Sequence, residues 1–216
     1  MKKIVAVNAS PRVKFSTGSL VREAERGAES EGAQVQVFDL ARLDKHSGCM
    51  SCFACKIAPN EGVCVFKDGL APVLAAIREA DGLIIGTPNY LGDVTAEFKA
   101  LLERLVFQHL TYRHEPFHYE FRHIPALFVM TSNAPSAYYA ESGYDTMVAR
   151  YKRFLEEAVG STKTLVVGET MQVKNYARYN WDIFDAEARQ RRHDTVFPDE
   201  LGQAFRLGAE MVSQPW

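Results

Sequence analysis

Short apolar runs alternate with longer amphipathic stretches along this chain. The runs at 4–8, 82–87 and 124–130 are almost wholly apolar, which is typical of strands buried on both faces of a sheet. The run at 35–38 alternates valine with glutamine, so we expect it near a sheet edge, and a short fifth strand is expected at 164–167. Apolar residues at helical spacing predict helices at 17–31, 70–80, 98–105, 146–159 and 199–212.

Strands that alternate with helices predict an α/β fold with a doubly wound parallel sheet. We expect five strands in the flavodoxin-like order 2-1-3-4-5, with residues 1–216 forming a single domain. In this order a ligand binds beyond the carboxyl ends of the first and third strands. The pattern therefore predicts a site where the loops at 8–19 and 88–93 meet.

Composition narrows the class of protein. Apolar residues make up 47% of the 216 residues, enough for a full core, and the formal net charge is −2, which argues against a nucleic-acid partner. A basic run at Arg189, Arg191 and Arg192 has acidic neighbours, so we interpret it as a solvated helix face. No apolar run has membrane-spanning length and the first residues lead directly into a strand, so we expect no membrane association and a cytoplasmic location.

Loop one follows the first strand and is suited to an anion. It carries Ser10 and Arg12, and a helix begins just after Ser16 and Thr17, so hydroxyls, backbone N–H groups and a cation surround one point. The chain has no Gly-x-Gly pair and no P-loop, which excludes the dinucleotide fingerprint and the Walker A motif. An ordinary turn capped by Ser16 or Thr17 is the alternative interpretation.

Two more polar loops follow the third and fourth strands. Loop two runs over 88–93 and loop three, of the same kind, over 131–135, and the sheet order places loop two beside loop one. A planar ligand with a phosphate tail suits this set, because loop one would hold the phosphate and loop two the ring. Flavin mononucleotide (FMN) fits that description.

At these residues the chain resembles the NADPH-dependent FMN reductases and, within them, the iron-sulfur flavoproteins. The resemblance covers the first half of the chain and rests on 10–12 with Ser16 and Thr17, on the cysteines at 49–55, and on 79–82 and 86–100. It implies that FMN phosphate is held by Ser10, Arg12, Ser16, Thr17 and Ser19, and that the isoalloxazine ring is lined by Pro88, Asn89, Tyr90, Leu91, Gly92 and Asp93. Loop three would contribute Thr131, Ser132 and Asn133, although it lacks the glycines of many relatives.

The resemblance also implies an activity. Reduced flavin relays hydride and electrons itself, so we expect FMN-dependent, NAD(P)H-linked reduction of a flavin, a quinone or another acceptor, with no dedicated catalytic residue. A homo-oligomer is expected, with a small-molecule acceptor or a redox protein as partner. Two alternatives remain open: an electron-transfer iron-sulfur flavoprotein, and a non-enzymatic module that senses redox state through its cysteines.

All four cysteines, Cys49, Cys52, Cys55 and Cys64, fall in one loop at 48–65. Four thiolates so close in sequence could hold a [4Fe–4S] cluster, which the resemblance favours, but the eight residues between Cys55 and Cys64 make a longer gap than we expect for that group. Redox-active or buried thiols and a structural zinc site are the alternatives. The Cys-x5-Arg spacing of phosphatases does not occur.

An insertion at 109–123 is rich in aromatic residues and histidines. We expect it either to pack on its own domain or to serve at a subunit interface or as a lid. His114 and His118 would share a face if this stretch were helical, but a metal site there is not favoured, since imidazoles often occur in such stretches without binding metal.

Overall fold

A computed structural model describes residues 1–135 and 137–216. Its sheet has five parallel strands in the order β2-β1-β3-β4-β5, which confirms the doubly wound, flavodoxin-like prediction. The strands are β1 Lys3–Asn8, β2 Gln34–Asp39, β3 Gly82–Pro88, β4 Ala126–Thr131 and β5 Thr162–Val167. The alternating β2 lies at an edge and is half-covered, as predicted, whereas β3 and β4 are buried throughout.

Helices cover both faces of the sheet. They are α1 Ser16–Ser30, α2 Ala71–Glu79, α3 Ala96–His109, α4 Tyr138–Glu141, α5 Tyr144–Ala158, α6 Ala186–Thr195 and α7 Phe197–Ser213. Helices α1 and α7 build the core on one face, and α2, α3 and α5 build the core on the other. The described residues include no helix of the length and apolarity needed to cross a membrane.

Helices α1 and α7 approach each other so closely that their backbones touch. A Cβ on Gly208 of α7 would lie 1.9 Å from the Ala24 carbonyl oxygen, and a Cβ on Gly27 of α1 would lie 1.9 Å from that of Phe205. Only glycine leaves room for such a contact, because any other residue would overlap a backbone oxygen. The position of α1 is therefore fixed by the helix that comes last along the chain.

Two expectations are wrong in detail. The insertion at 109–123 is not helical beyond His109: Leu110 and His118 face each other in an antiparallel bridge, so His114 and His118 share no helix face. The basic run does lie on a helix, α6, but only part of that face is solvated. Arg189 and Arg192 are mostly covered, because Arg189 pairs with Glu169 at 3.5 Å and Arg192 with Glu200 at 2.6 Å.

Candidate functional site

A cavity of about 360 Å³ opens at the carboxyl ends of β1, β3 and β4. Most of the predicted site residues line it: Ser10, Arg12, Ser16, Thr17, Pro88, Asn89, Tyr90, Leu91, Thr131, Ser132 and Asn133. Ser19, Gly92 and Asp93 are not part of its lining. The volume lies within the usual range of small-molecule sites.

The buried Asn8 at the end of β1 shapes loop one. Its side-chain amide donates to the Val13 carbonyl at 3.2 Å and to Asp39 at 3.0 Å, and its oxygen accepts the Ser10 N–H at 3.1 Å. The Ser10 hydroxyl in turn accepts the Arg12 N–H at 3.2 Å. These bonds fold the loop back so that the small side chains of Ser10 and Ser16 face the cavity.

The N-terminus of α1 points its free amide groups toward this loop. Phe15, whose side chain has no hydrogen-bond acceptor, takes the N-cap position, so neither Ser16 nor Thr17 caps the helix as the alternative interpretation required. The first turn has no acidic side chain. Unsatisfied N–H groups and the positive end of the helix dipole make this terminus suitable for an anion.

Arg12 lies at the rim of the cavity. Its guanidinium packs over the Phe15 ring, 4.0 Å from the centroid, and one of its amino groups donates to the Gln172 carbonyl. Stacking and one hydrogen bond fix the plane of the group. An arginine held in this way keeps further N–H donors for a bidentate contact with an oxyanion.

Loop two turns sharply between Tyr90 and Asp93. The two residues exchange backbone hydrogen bonds of 2.7 and 3.1 Å, and both residues between them are left-handed, with φ of 56° at Leu91 and 82° at Gly92. Glycine adopts this conformation freely, whereas leucine is strained in it. The Asn89 side chain accepts the Gly92 N–H at 2.9 Å and so holds the turn, with Leu91 fully exposed at the cavity rim.

Asp93 is not part of the cavity lining and anchors loop two to α5. Its carboxylate accepts the Tyr151 hydroxyl at 2.5 Å and the Val94 N–H at 2.8 Å. Burial raises the pKa of the Asp93 carboxyl, but these two hydrogen bonds, with the positive charges of Arg150 and Lys99, outweigh burial and the pKa is lower than usual. Burial, reinforced by the carboxylate, raises the pKa of Tyr151 to about 12.

We expect Tyr151→Phe to destabilise the fold by about 1–2 kcal/mol, because the hydrogen bond from Tyr151, on a buried side chain, to the Asp93 carboxylate is lost. The pKa of Asp93 should rise in the same variant. Urea unfolding and NMR titration of the carboxyl carbons measure the two effects. Tyr179→Phe, which alters an exposed tyrosine, is the control, and equal stability of the two variants would contradict the prediction.

Loop three is tied to the residues that follow β5. Ser132 donates its N–H to Val167 at 2.9 Å, and its carbonyl accepts the Thr170 N–H at 3.0 Å. Thr17 and Thr131 share a hydroxyl hydrogen bond of 2.7 Å, which joins loops one and three. The cavity is therefore closed on three sides by loops that are bonded to each other.

The cavity includes residues that the sequence analysis did not identify: Phe15, Ala134, Tyr144, Thr170 and Gln172. Thr170 and Gln172 follow the fifth strand, so the rule that ligands lie beyond carboxyl ends of strands could have found them. Tyr144, at the start of α5, reaches the cavity through space, and no local pattern indicates it.

Two amide groups at the cavity are buried without a partner among the described residues, the Asn89 nitrogen and the Asn133 oxygen. Both residues line the cavity. A buried polar atom without a hydrogen bond is costly, so such atoms commonly mark a ligand contact. The Asn89 donor and the Asn133 acceptor fit the polar edge of the FMN ring. The N-terminus of α1 beside them fits the phosphate.

The four cysteines surround a second, much smaller cavity of about 20 Å³, which we call the cysteine cavity. Cys55 and Cys64 both reach it despite the eight-residue gap, because the Gly62 N–H turns back to the Cys55 carbonyl at 3.0 Å. Burial raises the pKa of the Cys55 thiol although Lys56 opposes that effect. All four thiols are free.

The thiols suit an iron–sulfur cluster as a donor set, since clusters are held by cysteine sulfur. In 1–135 and 137–216, however, no three His, Cys, Asp or Glu side chains are arranged to hold a single metal ion. The cysteine cavity has room for about one water molecule, since about 10–15 Å³ of such space holds one. A cluster therefore fits the chemistry of this loop, with Cys49, Cys52, Cys55 and Cys64 as the residues that would hold it.

The chain is similar to known redox proteins. An iron-sulfur flavoprotein of Methanocaldococcus jannaschii is 38% identical over 102 residues, 47% of this chain and 51% of that protein. An iron-sulfur flavoprotein of Methanosarcina thermophila is 28% identical over 104 residues, 48% of this chain and 52% of that protein. The chain thus spans about half the length of the curated relatives it matches.

Solved structures share the fold at low identity. A NAD(P)H:quinone oxidoreductase from Methanothermobacter marburgensis superposes with a TM-score of 0.71 at 16% identity, covering 100% of this chain and 99% of its own. An azoreductase from Bacillus anthracis gives 0.67 at 13%, covering 97% and 100%. The family model described as NADPH-dependent FMN reductase matches residues 2–142, well over half of the chain. This chain therefore belongs to the NADPH-dependent FMN reductase family.

Proposed function

We propose that the protein binds FMN in the cavity at the carboxyl ends of β1, β3 and β4 and uses NAD(P)H to reduce a small acceptor such as a quinone or a flavin. The observation that carries this proposal is the meeting of an uncapped helix N-terminus, Arg12 and two unpartnered amide groups in one cavity. The family supports the flavin, and one solved structure of the same fold, named a NAD(P)H:quinone oxidoreductase, suggests the acceptor.

The phosphate would bind at the N-terminus of α1. There the amides of the first turn, the hydroxyls of Ser10, Ser16 and Thr17, and the Arg12 guanidinium supply donors around one point. Hydrogen bonds to a charged group are roughly twice as strong as neutral ones, so this cluster would give most of the affinity.

The ring would lie against loop two and loop three. Bound FMN accepts hydride from NAD(P)H and passes the electrons on, so the protein needs to hold and expose the ring rather than supply an acid and a base. Asn89 can donate, Asn133 can accept, and the Thr17–Thr131 bond keeps loops one and three together. Tyr90 and Leu91 remain exposed at the rim, where a second substrate would approach.

Purified full-length protein tests the proposal directly. We expect the visible spectrum of an oxidised flavin, either as isolated or after addition of FMN, and loss of that spectrum when NADPH or NADH is added without oxygen. A colourless protein that does not bind added FMN contradicts the proposal. A protein that binds FMN but is reduced only by ferredoxin favours the electron-transfer alternative.

Arg12→Ala is expected to weaken FMN binding by roughly 1–3 kcal/mol, about 5- to 150-fold in Kd, because a charge-assisted hydrogen bond to the phosphate is lost. Fluorescence titration of the apoprotein with FMN measures the change. Lys14→Ala removes an exposed cation from the same loop and is the matched control. An Arg12→Ala variant with the affinity of that control would remove Arg12 from the phosphate site.

We propose as a second function that the cysteine loop holds an iron–sulfur cluster that exchanges electrons with the flavin. The observation that favours it is that Cys49, Cys52, Cys55 and Cys64 line one cavity. Iron and acid-labile sulfide in anaerobically purified protein test it. Four of each per chain are expected for a [4Fe–4S] cluster, whereas FMN without iron leaves the thiols as a redox-active or sensing group.

We also propose that the protein forms a homo-oligomer. Exposed apolar side chains at Met50, Phe53, Ile57, Tyr112 and Phe117 support it, because such side chains are commonly covered in an assembly. Light scattering at several concentrations tests the oligomeric state, and a monomer at all of them contradicts it.

A further inference from the structure

Arg104 is the largest fully buried side chain among the described residues. It sits in the middle of α3, and its guanidinium donates to the Asp68 carboxylate at 2.6 Å and to the Phe66 carbonyl at 2.8 Å. Both members of this ion pair are almost completely removed from water. A buried ion pair often stabilises a protein less than apolar residues of the same size would, so its presence here calls for a reason other than stability.

The Arg104–Asp68 pair closes the base of the cysteine loop. Asp68 accepts the N–H of Ser47, just before the loop, at 3.2 Å and that of Leu70, just after it, at 3.0 Å. Because Arg104 holds Asp68 and Phe66, it fixes the segment that carries Cys64. Gln108, one turn further along α3, accepts the Cys64 N–H at 3.1 Å. Helix α3 thus sets the position of the fourth cysteine, whose spacing in the sequence is the unusual one.

The two terminal nitrogens of Arg104 bind Asp68 and Phe66, and its remaining nitrogen, Nε, indicates a role at the sulfur atoms. Its Nε is buried and has no partner among the described residues, although Arg104 lines the cysteine cavity and its guanidinium lies against the Cys64 side chain. The rest of the lining is mostly apolar. The cavity therefore contains a buried guanidinium, balanced by Asp68, with one free donor next to four thiols.

We propose that Arg104 is a positioning residue for the cysteine site: it brings Cys64 to the cavity and donates its Nε–H to sulfur there. This inference rests on the proposed iron–sulfur cluster. Hydrogen bonds and positive charge next to the sulfur atoms stabilise the more negative, reduced form of a cluster and so raise its reduction potential.

Two variants of the full-length protein, reconstituted anaerobically with iron and sulfide, test the inference. Arg104→Lys keeps the charge beside Asp68 but removes the planar Nε–H donor. The double variant Arg104→Met with Asp68→Asn replaces the buried ion pair by neutral side chains and leaves no uncompensated charge. Lys67→Gln removes an exposed cation from the same segment and is the control. The measurements are iron and sulfide per chain and the midpoint potential of the cluster, from a reductive titration followed by EPR.

We expect Arg104→Lys to bind as much iron as the wild type with a more negative midpoint potential, and the double variant to bind less iron with a larger negative shift. Lys67→Gln should match the wild type in both. If Arg104 only held the fold, its variants would bind less iron but keep the midpoint potential of the control. Midpoint potentials equal to that of the control would therefore overturn this inference and leave the proposed cluster in place. If circular dichroism shows that one of the two variants is unfolded, the iron content and midpoint potential of the other variant, compared with the control, test the inference. A wild-type protein that binds no iron would overturn the proposed cluster and this inference together.

Discussion

Gly18→Ala is expected to lower both the stability of the fold and its affinity for FMN. Gly18 lies in the first turn of α1, and a Cβ there would be 1.9 Å from the Val13 carbonyl oxygen and 3.1 Å from the Asn8 side-chain nitrogen. The backbone of loop one would have to move, which breaks the Asn8–Val13 hydrogen bond that folds the loop. We expect a loss of about 3 kcal/mol in the free energy of unfolding, a typical cost of overpacking a tight site.

The FMN affinity of Gly18→Ala should fall at least about tenfold, because the phosphate donors of loop one and α1 no longer converge. Gly202→Ala is a matched control: it also alters a helical glycine, but its Cβ would meet only the mobile end of Arg206 at 3.4 Å. Alanine at that position should leave stability unchanged or raise it slightly. Urea unfolding and flavin titration compare the two variants, and similar values for both would contradict the steric argument.

The free energy of unfolding is expected to fall by about 3 kcal/mol as the pH is lowered from 6.5 to 4, from the protonation of His109 alone. Burial, with smaller contributions from His118 and Lys56, lowers the pKa of His109 from 6.5 to about 4. Its ring is stacked on Phe121 with 4.1 Å between centroids, and its Nδ1 has no partner among the described residues.

The direction follows from proton binding. Between pH 6.5 and 4 the unfolded chain binds a proton on His109 that the folded chain does not, so protonation favours unfolding. Above pH 6.5 both states are neutral at this group and its contribution is constant. Urea unfolding at several pH values should show this slope in the wild type and lose it in His109→Gln. His114→Gln, at an exposed histidine, should keep it; a slope that survives in His109→Gln would assign the pH dependence to other groups.

The fold could be predicted because the sequence patterns that determine it are local. Runs such as 82–87 and 124–130 are apolar on both faces only when helices cover both sides of a sheet, and their alternation with helical stretches leaves few topologies. The position of loops one to three at the carboxyl ends of β1, β3 and β4 then follows from the parallel order. Most predicted site residues therefore line the cavity.

The remaining features depend on contacts between distant parts of the chain. Ser19 follows Ser16 by one helical turn in sequence, yet it is not in the cavity lining, because only the start of α1 faces the ligand site. The sequence pattern indicated that Arg189 is solvated. In the structure Arg189 pairs with Glu169, which lies twenty residues earlier in the chain. Arg104 shows no local signal at all, since its partner Asp68 lies 36 residues earlier in the chain.

The backbone contact between α1 and α7 has a consequence for biosynthesis. Helix α1, whose N-terminus forms the proposed phosphate site, is synthesised well before α7, the helix against which it packs through Gly27 and Gly208. While the chain is being synthesised, one side of α1 stays uncovered until α7 has left the ribosome. Cofactor loading is therefore expected to follow the synthesis of α7 rather than precede it.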